Sequence, residues 1–176
     1  MNEKFTVGII VLNHFGVLNR VAGLYAKRGY NIDSLAVGET ENPVFSRMTI
    51  VSTGDEYMRD QVLRQLEKLR DVKMVCLLDK DNSVSIEHML IKLKAGNAGK
   101  ASISGLINDY GGKVMDFGGE FITAEIAGSS EKIERFIEAA RETGILEVCR
   151  SGLISMIQGV DDVFSIDNID TFDNIG

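Results

Sequence analysis

The residues best suited to holding a ligand cluster near the start of the chain: Asn13, Gly16, Val17 and Leu18, with Asn31 and Ile32 following. A glycine lets the backbone approach a bound group closely, because no Cβ stands in the way. Where Gly16 opens a helix, the N–H groups of Val17 and Leu18 have no intrahelical acceptor. They can cradle a carboxylate, and the helix end adds about 0.3–2 kcal/mol for an anion. The Asn13 amide can offer its oxygen to an ammonium group and its NH₂ to a carboxylate. An α-amino acid carries both groups. Asn31 and Ile32 could add a second polar contact and an apolar wall. The same residues also fit a plain turn, with Gly16 as its glycine and Asn13 as its cap.

Other chemistry has less to work with. Neither GxGxxG nor GxxxxGKS/T occurs, so the usual phosphate-cradling loops are absent. Zinc catalysis needs clustered His, Cys or Glu, and the two histidines, His14 and His88, lie in separate halves of the chain. Cys76 and Cys149 form no CxxC pair, and both fall in predicted strands, which reads as buried free thiols. Small hydrolases of acyl phosphates would want an arginine in the first loop. Here that loop is Asn13-His14-Phe15-Gly16, and Arg20 is already inside the helix. The expectation is therefore no catalytic residue and no metal ligand.

The elements that must position these residues can be read from periodicity. Phe5 to Leu12 is an apolar run of strand length. Val17, Leu18, Val21, Leu24 and Tyr25 share a helical face, and Gly29 ends that helix. Tyr30 to Val37 reads as a second strand, followed by a turn at Glu41-Asn42-Pro43. Phe45 to Val51 alternates, with Met48 and Ile50 on one face and Arg47 and Thr49 on the other. A helix from Asp55 carries Met58, Val62, Leu66 and Leu69, and Val72 to Leu78 closes the set. Asp79 to Ser85 is polar and reads as a linker. The pattern then returns: a strand through Met89, Ile91, Leu93 and Ala95; a helix through Ile103, Leu106, Ile107 and Tyr110, ended by Gly111-Gly112; a hairpin around Gly118-Gly119; a helix through Ile133, Phe136, Ile137 and Ala140; and a last strand from Leu146 to Ile154.

Each half is βαββαβ. Right-handed crossovers place both helices on one face of a four-stranded sheet. The expected fold class is α+β, two tandem ferredoxin-like modules at 1–79 and 85–159. Residues 160–176 form an acidic tail with Asp161, Asp162, Asp167, Asp170 and Asp173, read as a solvated end or as a docking strand or helix. The chain has 176 residues, 44% hydrophobic and 26% charged, with a net charge of -7. Without a Lys and Arg cluster to neutralise phosphates, nucleic acid and anionic membrane surfaces are disfavoured. No apolar run reaches the roughly 20 residues of a membrane span, and Met1 to Thr6 lacks a signal-peptide pattern. The expected location is the cytoplasm.

Longer stretches resemble a known family. Asn13-His14-Phe15-Gly16-Val17-Leu18-Asn19-Arg20-Val21-Ala22-Gly23-Leu24, then Lys27-Arg28-Gly29-Tyr30-Asn31-Ile32-Asp33-Ser34-Leu35, is similar to the start of the regulatory small subunits of acetohydroxyacid synthase (acetolactate synthase). Gly38-Glu39-Thr40-Glu41 and Ser46-Arg47-Met48-Thr49-Ile50 resemble it too, so the first module is identified as an ACT domain. The second module resembles the family in Glu87 to Lys94, the Lys132 to Ile137 helix and Glu147 to Gly152.

The resemblance implies a non-catalytic chain that activates a thiamine-diphosphate-dependent catalytic large subunit. It also implies feedback inhibition by valine or another branched-chain amino acid, at an interface between two ACT domains of a homodimer. Effector contacts would fall on Asn13, Gly16, Val17 and Leu18 of one chain and on Asn31 and Ile32 of the facing chain. Thiamine diphosphate, magnesium and FAD would belong to the catalytic partner. The second module would carry the activating contacts. His14 is expected to be a surface turn residue. A different outcome of the same fold would be a free-standing amino-acid-sensing ACT protein that regulates another enzyme.

Overall fold

The computed structural model of the chain describes residues 2–96, 99–159 and 169. Two compact units divide it, one comprising Met1–Val84 with Ser155–Gly176 and the other Ser85–Ile154. Residues 155–159, expected at the end of the second module, thus group with the first unit.

The first unit contains β1 (Glu3–Leu12), α1 (Val17–Lys27), β2 (Ser34–Glu39), β3 (Phe45–Gly54), α2 (Glu56–Leu66) and β4 (Val72–Leu77). The strands form one sheet in the order β2-β3-β1-β4. Each neighbouring pair is antiparallel, with Val7 opposite Ile50 and Ile9 opposite Met48. Side chains alternate between faces with a period of two. Val7, Ile9, Val11, Met48 and Ile50 accordingly share one core with Val17, Val21, Tyr25, Val62 and Leu66 of the helices. On the opposite face, Ile10 and Phe45 form a smaller cluster with Leu12, Met74 and Ile169. Arg47 also lies there, as its alternation with Met48 predicts, and donates to the Ser155 carbonyl at 2.7 Å. Burial pushes its guanidinium down from its ordinary value, against the opposing influence of the Cys76 thiol. Apart from Ile169, the acidic tail falls outside the described residues.

The second set contains β5 (Ser83–Lys94), α3 (Gly99–Asp109), β6 (Lys113–Phe117), β7 (Phe121–Gly128), α4 (Ser130–Ala140), a 3-10 turn (Arg141–Thr143) and β8 (Ile145–Ile157). Its sheet order is β6-β7-β5-β8. Met89, Ile91, Leu93, Ile122, Ala124 and Ile126 pack on Ile103, Ile107, Ile133 and Phe136. The two sheets follow one plan, and the βαββαβ reading holds in both.

The helix ends show why the repeat was legible. After α1, Gly29 takes φ 66°, Tyr30 donates to the Tyr25 carbonyl and Gly29 to that of Ala26. After α3, Gly112 donates to the Ile107 carbonyl and Gly111 to that of Asn108. Both are the paired 6→1 and 5→2 bonds that a left-handed residue permits at a helix C-terminus. The N-termini of α2 and α4 match as well: Asp55 accepts from the Met58 N–H, and Ser129 from the Lys132 N–H.

Two boundaries differ from the sequence reading. The second strand starts at Ser34 rather than Tyr30, because the Asn31 side chain donates to Asp33 Oδ1 at 2.7 Å. Such a local side-chain bond competes with the strand ladder. The linker is shorter than 79–85, because Ser83 already opens β5. The turn before it is closed by the Asn82 N–H and the Ser83 hydroxyl, both donating to the Asp79 carbonyl.

Candidate functional site

Gly16 sits at the N-terminus of α1 with φ 86° and ψ -6°. An alanine Cβ there would meet nothing within 4 Å, so glycine is required by the left-handed backbone and not by crowding. The first full helical bond runs from the Arg20 N–H to the Gly16 carbonyl at 3.1 Å, while the Val17 N–H reaches back to His14 at only 3.5 Å. The N–H groups of Leu18 and Asn19 come before that first bond. No side chain caps this end, and the first turn holds no acidic residue. The backbone therefore presents open donors and a favourable dipole to an anion. Val17 is buried in the core, whereas Leu18 is 45% exposed beside the opening.

Asn13 stands at the other side of this loop. Its N–H donates to the Val44 carbonyl at 2.7 Å. Its side-chain NH₂ donates to Glu39 Oε1 at 2.8 Å and to the Pro43 carbonyl at 3.0 Å. Of the two roles expected of this amide, the carboxylate-facing one is thus taken up by the protein itself. The amide oxygen is the part suited to an ammonium group.

No motif or spacing singles out Asp71, which lies just before β4. Its carboxylate is buried and meets two loop-side residues. His14 Nε2 is 3.0 Å from Oδ1, and Arg20 Nη1 pairs with Oδ2. The Asp71 carbonyl accepts from the Leu12 N–H at 2.8 Å. His14 is therefore a half-exposed turn residue with a specific partner, and Arg20, set aside as lying inside the helix, faces the same carboxylate. Only a fold that brings β4 beside β1 could reveal this, since 57 residues separate His14 from Asp71.

Asn31 and Ile32 are not brought to this loop within one chain. Asp33, next to them, donates its N–H to the Val51 carbonyl at 2.8 Å, and its Oδ2 accepts from the Thr53 hydroxyl at 2.6 Å. Asn13 is tied instead to Val44, before the opposite end of β3. Seven residues of extended chain from Val44 to Val51 span roughly 20 Å. The two groups of residues therefore sit at opposite ends of the sheet. Ile32 is half-buried against the helix-side core.

The thiols differ from expectation. Cys76 is only half-buried and Cys149 is exposed, because each lies on the sheet face turned away from the helices: Cys76 pairs with Gly8, between the core-facing Val7 and Ile9, and Cys149 alternates with Arg150, which reaches Glu134 of α4. Burial pushes the Cys76 thiol up, Asp79 adds to that, and Arg47 opposes it. Among the described residues, no group of three His, Cys, Asp or Glu side chains could hold a metal ion. No described helix is long and apolar enough to cross a membrane.

Comparison with known proteins agrees with this geometry along nearly the whole chain. Residues 7–74 match the model of the AHAS small subunit-like ACT domain. Residues 86–159 match the model named for the small subunit of acetolactate synthase. The small subunit of acetolactate synthase isozyme 3 from Escherichia coli is 37% identical over 154 residues, covering 87% of this chain and 94% of that protein. A probable acetolactate synthase small subunit from Archaeoglobus fulgidus is 38% identical over 156 residues, covering 89% and 98%. The crystal structure of the acetolactate synthase small subunit from Thermotoga maritima superposes with a TM-score of 0.84 at 34% identity, covering 90% of this chain and 99% of that one. The two βαββαβ sheets, the ACT domain with its open glycine loop, and these matches together establish that the chain belongs to the acetolactate synthase small-subunit family.

Proposed function

We propose that this chain is the regulatory, non-catalytic subunit of an acetolactate synthase of the cytoplasm. It activates a catalytic large subunit, whose thiamine diphosphate, magnesium and FAD carry the chemistry, and makes that enzyme sensitive to valine or another branched-chain amino acid. The observation that carries this reading is the match of both modules to small subunits over nearly their full length.

The effector is proposed to sit between two copies of the chain. The Gly16 loop of one copy, with the open donor at Leu18 beside Val17 and the amide oxygen of Asn13, would take the amino acid's charged end. Asn31 and Ile32 of the facing copy would complete the site. The roughly 20 Å along β3 between the two groups supports this composite arrangement, because one copy alone cannot bring them to a single small ligand. A ligand that touches both copies stabilises the arrangement it fits, and so shifts the equilibrium by its differential affinity. Coupling of about 1–3 kcal/mol suffices for useful inhibition. Leu18 and Ile32 would read the ligand's side chain, where each methylene is worth about 1–3 kcal/mol. The activating contacts are proposed to come from the second module.

The test is reconstitution with the catalytic subunit. The full chain should raise its turnover, and valine should reverse that gain. Asn31→Ala and Gly16→Asp should each keep activation and abolish inhibition. Inhibition that survives both changes would discard this site assignment. Absence of any activation would discard the subunit reading itself.

A further inference from the structure

Asp71 is 5% exposed, and its carboxylate and carbonyl together close a ring around the loop that follows β1. The carbonyl holds the Leu12 N–H, where β1 ends. One carboxylate oxygen meets His14 in the loop and the other meets Arg20, one turn into α1. His14 extends the ring, with Nδ1 3.0 Å from the Phe15 carbonyl. A carbonyl and a carboxylate can only accept, so whichever His14 ring nitrogen carries a proton donates to one of them. The end of β1, the loop, the first turn of α1 and the start of β4 are thus tied to a single residue. A group positioned this way fixes the backbone around Gly16, whose left-handed conformation no neighbouring side chain caps.

We propose that Asp71 is the positioning residue of the effector site: through His14 and Arg20 it holds residues 13–18 in the conformation that receives the amino acid, without touching the ligand. This rests on the reading of that loop as the effector site. His14 and Arg20 are 44% and 54% exposed at their side chains. Neutralising Asp71 therefore leaves behind polar groups that water can reach, and the domain is expected to survive the change. A small misplacement of binding groups is enough to lose most of their contribution, so the effect appears in affinity.

The experiment uses the full chain with valine as the probe. It combines calorimetric titration, amide hydrogen exchange of residues 13–18 without ligand, and activation of the catalytic subunit. Asp71→Asn should weaken valine binding about tenfold or more, about 1.4 kcal/mol for each tenfold, with activation retained and exchange in the loop accelerated. His14→Gln, at a half-exposed position, should do the same more weakly. Arg20→Lys keeps a cation opposite the carboxylate and should recover most of the affinity that Arg20→Leu loses. Valine affinity unchanged in both Asp71→Asn and His14→Gln, or loop amides that exchange no faster, would overturn the proposal. If the unaltered chain binds no valine, leucine or isoleucine, the effector reading fails, and loop exchange in Asp71→Asn alone decides whether Asp71 holds the loop.

Discussion

Each module buries a carboxylate, and the two are placed differently. In the first, Asp71 faces the loop between β1 and α1 and fastens it to the start of β4. In the second, Glu87 lies within β5 and is 3% exposed. Arg150 of β8 meets it with two bonds, at 2.5 and 2.9 Å, and reaches Glu134 of α4 at 2.6 Å. The Ser130 hydroxyl also donates to Glu87, at 3.1 Å. These contacts hold the Arg150 guanidinium firmly protonated, the Glu87 bonds contributing most. This cluster joins strand to strand and strand to helix, away from the loop between β5 and α3. The residue of β1 that matches Glu87 in register is Phe5, paired with Ser52, which packs against the core. The same scaffold thus has a polar clamp at a loop in one copy and in the framework in the other. A clamp at the loop positions a site, whereas a clamp in the framework stabilises the domain.

The largest expected effect tests that distinction directly. Arg150→Leu leaves the Glu87 carboxylate buried without its cation, which costs about 3–5 kcal/mol. Denaturant unfolding followed by a probe in the second module should show the loss, with effector affinity of the first module intact. A loss below about 1 kcal/mol would show that Ser130 and water satisfy Glu87 without Arg150.

A smaller effect separates the cores. Tyr25 of α1 and Ile107 of α3 occupy matching positions, each accepting the 6→1 bond at the end of its helix. Burial pushes the Tyr25 phenol up to about 12, and the nearby Ser52 hydroxyl draws it back only in part. Among the described residues, neither hydroxyl reaches a partner at normal hydrogen-bonding geometry. The folded state holds this proton more tightly than the unfolded chain, so stability is full below pH 10 and is lost as pH rises through 12. The loss should be about 2–3 kcal/mol. Tyr25→Phe should remove this part of the alkaline decline in melting temperature, and an identical decline in the variant would refute the assignment.

The smallest effect contrasts two glycines. Gly105, inside α3, has open space where a Cβ would stand, so Gly105→Ala should stabilise by about 0.5–1 kcal/mol. Gly16 has the same open space but a left-handed backbone, so Gly16→Ala should destabilise by about 1–2 kcal/mol. Thermal melts of the two variants should move in opposite directions. A shift in the same direction would mean that the loop relaxes out of the left-handed region.

Much of this was legible because it is local. The strands alternate, the helices repeat their apolar offsets, and Gly29, Gly111 and Asp55 carry their cap signals in their own residue types. The loop Asn13-His14-Phe15-Gly16 could be singled out because Gly16 and the following N–H groups act through backbone conformation. Where local reading failed, a side chain had a choice of partner. Asn31 turned to Asp33 and delayed β2. Asn13 gave its NH₂ to Glu39 and Pro43, although in the sequence it stood free for a ligand. Cys149 read as buried because it lies in an apolar strand, but its side chain points to the sheet face that no helix covers.

The sequence by itself determined the repeated βαββαβ order, the open helix start at Gly16 and the family, since periodicity, turn chemistry and motif are properties of neighbouring residues. Only the tertiary structure decided that Asp71 anchors that loop, that Glu87 and Arg150 pair across the second sheet, and that Asn13 and Asn31 stand at opposite ends of the first. Those facts depend on which strands lie side by side and in what register. Burial and charge pairing act between residues that the chain keeps far apart until it folds.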